Sequence, residues 1–192
     1  MQVRIEAEGV CFDGLTIKAM GSQLSPVDVM SGGSLAMKGC RVEGGSSAAV
    51  RVMSTQGSSS SAGSLSAKGC TFVSSRGNGL SVLSGGRAAL EQECVLSNCA
   101  KIGVFVTGKG SMVSAQHCQA DGNGDPNIMV RSGAAVSLLH VSSNGSRGAH
   151  GWDVSDKGST LVAAHSCASH NGGCGAIVSD GACLQALSFQ SV

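Results

Sequence analysis

The sequence predicts an all-β chain, wound as a single-stranded right-handed parallel β-helix (a β-solenoid) of about seven to eight coils with 22–30 residues per coil. Two repeated motifs and a turn-rich composition carry that prediction. The first motif is seen where residues 35–42 (LAMKGCRV) match residues 65–72 (LSAKGCTF), and both resemble residues 113–118 (VSAQHC) and 136–141 (VSLLHV). It gives an anchor series Val10, Cys40, Cys70, Cys94, Cys118, Val141, Cys167 and Phe189, at intervals of 30, 30, 24, 24, 23, 26 and 22 residues. The second motif is an apolar triplet ending at Val52, Val82, Val106, Val130, Val154 and Val178, which follow their anchors by 12, 12, 12, 12, 13 and 11 residues. Period and self-similarity of this kind mark a repeat architecture.

Each element follows from those spacings. The apolar segments hold two or three alternating inward residues, too few for an amphipathic helix and too short for a free-standing strand. Stacked on the matching strand of the next coil, each gains parallel backbone hydrogen bonds and buries its inward side chains. Turns such as Asp121 to Gly124, Ser143 to Gly145 and His170 to Gly173 separate anchor from triplet, and Gly/Ser turns close each copy. At roughly 4.8 Å per step, eight anchors span a rod of roughly 34 Å. The strict six-residue beat of a left-handed hexapeptide helix and the leucine signature of a leucine-rich repeat are both missing from this sequence. The domain expectation is one β-helix over residues 1–192, either a piece of a larger protein or capped by a partner. Longer coils place bulging loops at residues 23–26 and 56–61.

Composition narrows the function. The chain has 192 residues, 42% hydrophobic and 13% charged, with 29 Gly, 2 Pro and 3% aromatic residues. A disordered tail needs low hydrophobicity and high net charge, and this chain has a formal charge of +1. Thirteen basic against twelve acidic residues leave no surplus for a nucleic-acid partner. No apolar run approaches the roughly 20 residues of a membrane span. Nine cysteines without an even, dense spacing, and a start without an apolar leader, point to reduced thiols and a cytoplasmic chain.

The copies look like the parallel β-helix repeats of pectate-lyase-like, carbohydrate-binding and sugar-hydrolase proteins, and of intracellular F-box and SHC-binding proteins that carry the same repeat. The resemblance spans about residues 3–192, and residues 9–17 (GVCFDGLTI) are similar to the starting coil of such proteins. It implies the fold and leaves activity open, because one fold hosts many functions.

Several constellations point to chemistry or contact. Cys40, Cys70, Cys94 and Cys118 share one inward position and read as small apolar core residues. His165, Cys167, His170, Cys174 and Cys183 have zinc-ligand chemistry, but Cys167 reads inward and His165 outward, so no metal or cofactor is expected. Gly103 to Lys109 has phosphate-loop spacing, yet Gly110 stands at the Ser/Thr position and residues 104–106 belong to a repeat strand. The catalytic candidates are Asp125, His150, Asp153 and Lys157, with Asp121, Asp156 and Arg147 nearby in sequence. Asn123 to Asp125 and Ala149 to Gly151 echo motifs of pectin-degrading hydrolases, which such enzymes use with further Asp and basic pairs lacking here. Working carboxylates would have to stand roughly 5–9.5 Å apart across a substrate.

The outward positions of the triplets are Arg51, Ser81, Phe105, Met129, Asp153 and Ile177, and Phe105 with Met129 is expected to form an exposed apolar strip. Trp152 reads inward. The preferred reading is a non-catalytic structural or protein-interaction module, touching a partner or another copy through Phe105, Met129, Ile177, Arg51 and the rod ends. The alternative is a carbohydrate-active enzyme or binding module, and a third possibility is an assembly protein whose rods stack.

Overall fold

The structure, a computed structural model, describes residues 2–19, 25–54, 61–74 and 76–190. Among the described residues all regular structure is strand, and every pairing is parallel. One sheet stacks β1 (Val3–Ile5), β4 (Val27–Val29), β7 (Ala48–Met53), β10 (Asn78–Leu83), β12 (Val104–Thr107), β14 (Ile128–Arg131), β16 (Trp152–Val154) and β18 (Ala176–Val178). A second stacks β2 (Val10–Asp13), β5 (Ser34–Lys38), β8 (Ser64–Lys68), β11 (Arg87–Glu91), β13 (Met112–Gln116), β15 (Ala135–Leu139), β17 (Thr160–Ala164) and β19 (Cys183–Leu187). The third face holds β3 (Thr16–Lys18), β6 (Arg41–Glu43) and β9 (Thr71–Val73), and continues as single bridges through Val95, Gln119, Ser142, Cys167 and Gln190. The chain is therefore a parallel β-solenoid of short strands, as expected, and its coils present three faces.

The triplets stack in the predicted register. Val52, Val82, Val106, Val130, Val154 and Val178 face one another in sequence, and so do Val50, Leu80, Val104, Ile128, Trp152 and Ala176. Two further copies extend this face, Val27 with Val29 and Val3 with Ile5. On the second face one inner column reads Met37, Ala67, Leu90, Ala115, Leu138 and Ala163, all buried. Large and small side chains alternate there, the pattern by which a narrow interior is filled.

The register corrects two anchors. Thr71, Val95, Gln119, Ser142, Cys167 and Gln190 form one outward ladder, so Cys167 stands on the outer side and buried Ser166 occupies the inward position. Val10 pairs with Leu35, not Cys40, and the donation from Arg41 N to Leu15 O places exposed Leu15 in the Cys40 column. Cys40, Cys70, Cys94 and Cys118 do line the core, each at most 3% exposed. The expected bulges at residues 23–24 and 56–60 lie outside the described residues.

Candidate functional site

The outer row of the first sheet runs Arg4, Asp28, Arg51, Ser81, Phe105, Met129, Asp153 and Ile177. Its parity is as expected, but its exposure differs. Met129 is only 9% exposed and Phe105 is half-buried, while Ile177 is 38% exposed. Side chains one strand spacing apart lie against each other, so a long residue between Phe105 and Asp153 is covered by its neighbours. Arg51 is engaged within the chain: its Nε donates to Asp28 Oδ1 at 2.9 Å and its Nη2 to Asp28 Oδ2 at 2.6 Å. Gln2 Nε2 also donates to Asp28 Oδ2, at 2.7 Å, so the buried carboxylate is held from both sides. Asp153 separates the pair Phe105 and Met129 from Ile177, and it takes an ion pair from Arg131 at 3.3 Å.

The acid–base candidates fall in three places on the rod, with Asp121, Asp125, Arg147 and His150 sharing one corner of adjacent coils. Asp121 and Asp125 lie on the turn between the third and first faces, Asp153 on the outer side of β16, and Asp156 with Lys157 on the turn before β17. Asp121 accepts from Asn144 N at 2.6 Å and from Ser142 Oγ at 2.9 Å. Asp156 accepts from Ser132 N at 3.1 Å, fixing the turn of the preceding coil. His150 Nδ1 accepts from Cys174 N at 3.0 Å. Arg147 Nε donates to Gly122 O at 3.1 Å. Asp125 and Lys157 are exposed. Each engaged group here ties one coil to the next.

A network of asparagines joins the turns between the third and first faces. Buried Asn123 and Asn127 share a bond from Asn123 Nδ2 to Asn127 Oδ1 at 2.9 Å. Asn127 Nδ2 donates to Asn171 Oδ1 at 3.1 Å and to Asn144 O at 3.1 Å. Asn123 Oδ1 accepts from Cys99 N at 2.9 Å. These amides satisfy backbone groups that the turn would otherwise bury without partners. Close packing follows. A Cβ added at Gly103 would sit 2.6 Å from Asn123 Nδ2 and 2.7 Å from Asn127 O, so only glycine fits.

The thiols divide by position. Cys40, Cys70, Cys94, Cys99 and Cys118 are buried, Cys167 is half-buried, and Cys11, Cys174 and Cys183 are exposed. A hydrogen bond with Cys94, together with burial, pushes the Cys70 thiol well above the ordinary range. Burial likewise raises Cys99. Thiolate is the reactive form, so these groups are doubly protected. Under native conditions Ellman's reagent is expected to titrate Cys11, Cys174 and Cys183 quickly, with the five core thiols appearing only on unfolding. Rapid native reaction of Cys70 would contradict its placement.

Among the described residues no group of three His, Cys, Asp or Glu side chains is arranged to hold one metal ion. The phosphate-loop spacing at Gly103 to Lys109 is a strand, β12, followed by a turn. A search of the curated proteins and a search of the solved structures each returned no match. A family model described as "Right handed beta helix region" matches residues 57–190. That span is more than half of the chain and holds the coils from β8 to β19, so the chain belongs to the right-handed β-helix family.

Proposed function

We propose that this chain is a non-catalytic β-solenoid that serves inside the cell as a structural or protein-interaction module. The observation that carries this reading is that the acidic groups serve the fold: Asp28, Asp121, Asp153 and Asp156 are each engaged by a neighbour. A glycan-cleaving centre needs two carboxyls converging on one groove. Nine unpaired cysteines support a reducing compartment. Contacts are made through Phe105 and Ile177 on the outer row and through the rod ends, where Val178 and Leu187 of the β18–β19 coil are 42% and 66% exposed. Met129 and Arg51 belong to the same row, Met129 largely covered by its neighbours and Arg51 held by Asp28.

The test is incubation of the purified chain with polygalacturonate, alginate and neutral glycans, read by reducing ends and by absorbance of unsaturated products. No turnover above a Asp125→Asn/Asp153→Asn double variant is expected. Turnover that the double variant loses would replace this reading with a carbohydrate-active enzyme. On the contact side, Phe105→Ser is expected to leave thermal stability within about 1 kcal/mol and to lower any rise of light-scattering mass between two protein concentrations. Unfolding of Phe105→Ser would put Phe105 in the core.

A further inference from the structure

Three histidines lie on top of one another at the corner between the second and third faces. His117, His140 and His165 follow β13, β15 and β17 and occupy the same place in successive coils. The rings of His117 and His140 are stacked with centroids 4.8 Å apart and an interplanar angle of 10°. Those of His140 and His165 are 5.1 Å apart at 13°. All three side chains are exposed, and among the described residues none of the three rings has a hydrogen-bond partner. His150, by contrast, has its Nδ1 engaged.

The corner itself does not call for histidine. The residue here turns the chain with a positive φ, 53° at His117, 53° at His140 and 50° at His165. Gly39 and Gly69 fill the same place in earlier coils, both with φ of 57°. Glycine takes this conformation without strain, whereas a residue with a Cβ does so at some cost. Three consecutive imidazoles at a place that other coils fill with Gly, Gln92 or Ser188, with free ring nitrogens and no role in the core, point to recognition of something outside the chain.

We infer that this imidazole ladder is a binding site for one late first-row divalent transition-metal ion, held between His140 and either of its two neighbours. Imidazole nitrogen favours Zn²⁺, Cu²⁺ and Ni²⁺ over Mg²⁺ and Ca²⁺, which take oxygen ligands. Two zinc–nitrogen bonds of about 2.0–2.1 Å in a tetrahedral arrangement bring the nitrogens to about 3.4 Å. Rings 4.8 and 5.1 Å apart reach that separation by tilting toward each other, and exposed side chains have the rotamer freedom to do so. His117 and His165 stand two coils apart, too far to share an ion, which is why no trio forms. Water fills the remaining positions. On the His140–His165 side a surface depression of about 380 Å³, lined also by Ser166, Cys167, Ser188 and Gln190, leaves room for the ion and its waters.

The ladder makes a specific mutational signature. His140 belongs to both pairs, whereas His117 and His165 each belong to one. The test uses a Cys11→Ser/Cys174→Ser/Cys183→Ser background, because exposed thiols bind the same ions. Zn²⁺ titration by calorimetry at neutral pH is expected to show one ion per chain. His140→Asn, which keeps a residue tolerant of positive φ, is expected to weaken binding at least tenfold, or 1.4 kcal/mol. His117→Asn and His165→Asn are each expected to weaken it only about twofold, because one pair survives. Histidine side-chain NMR signals are expected to shift on Zn²⁺ addition in the parent and not in His140→Asn. Equal losses in all three variants, binding unchanged in His140→Asn, or binding abolished by Cys167→Ser alone would overturn the assignment. Circular dichroism of each variant separates lost binding from lost fold.

Discussion

Val106→Asp is expected to leave no folded protein. Val106 is fully buried on β12, between Val82 and Val130 in an unbroken inner column of valines. A carboxylate there has no cation and no donor within reach. An uncompensated buried charge costs about 3–5 kcal/mol or more, against a total stability of about 5–15 kcal/mol for a domain. The damage also propagates, because each coil is the template for the next. The measurements are soluble yield, the β-sheet signal in circular dichroism and the emission of Trp152, the single tryptophan. Phe105 is the adjacent residue on the same strand and points to the opposite side. Loss of fold in Val106→Asp beside a folded Phe105→Ser therefore tests the strand parity itself. A soluble, native-like Val106→Asp would mean that the register is wrong.

Trp152→Ala carries the second large effect, about 3–5 kcal/mol of destabilisation from lost burial and the cavity left behind. Trp152 is fully buried in β16, facing Ile128 in one coil and the small Ala176 in the next. Phe189 reaches it with ring centroids 4.7 Å apart, so the two aromatics together fill the interior of the last coils. The indole Nε1 has no hydrogen-bond partner there. A buried donor without an acceptor costs about 1–3 kcal/mol. Trp152→Phe removes that cost while keeping most of the volume, and it is expected to destabilise by less than about 1.5 kcal/mol. Thermal melts followed by circular dichroism rank the three proteins as parent, then Phe, then Ala. Equal melting of Trp152→Ala and the parent would show that the ring is not needed in the core.

The coil register was legible because a solenoid puts like on like. The outward or inward sense of each triplet followed from alternation alone, and so did the burial of Cys70, Cys94 and Cys118. The two misplaced anchors came from matching residue type instead of distance. The first inner residue of the second face precedes its anchor by five positions in Leu35 to Cys40, Leu65 to Cys70, Val113 to Cys118 and Val136 to Val141. The same step leads from Leu161 to Ser166 and from Val10 to Leu15, where the structure puts them. Only the coil of Cys94 departs, because Gln92 and Glu93, both with positive φ, add one residue to the corner. What the spacing could not show was the direction of turn side chains. Asn123 and Asn127 are turn formers by type, yet their amides point inward and close the backbone's hydrogen bonds. The near burial of Met129 was equally hidden, since strand parity alone puts it on the outer side between Phe105 and Asp153. The histidine ladder was half visible, since the match of residues 113–118 with 136–141 puts His117 on His140, while the stacking of the rings depends on side-chain directions that spacing does not give.

That winding has a kinetic consequence. Strand partners are separated by one coil, whether near the Cys40 anchor or near Phe189. Closing a loop of 30 residues instead of 22 adds only about 0.3 kcal/mol of entropic cost. Chain topology thus offers no coil a head start in the search for the native state. The choice of nucleus falls to local side-chain content, and the stretches holding Phe72, Leu80 and Leu90 or Ile128, Trp152 and Leu161, all almost or wholly withdrawn from water, are its candidates. From such a nucleus the remaining coils are expected to add one after another toward both ends, each on a surface the previous one has completed.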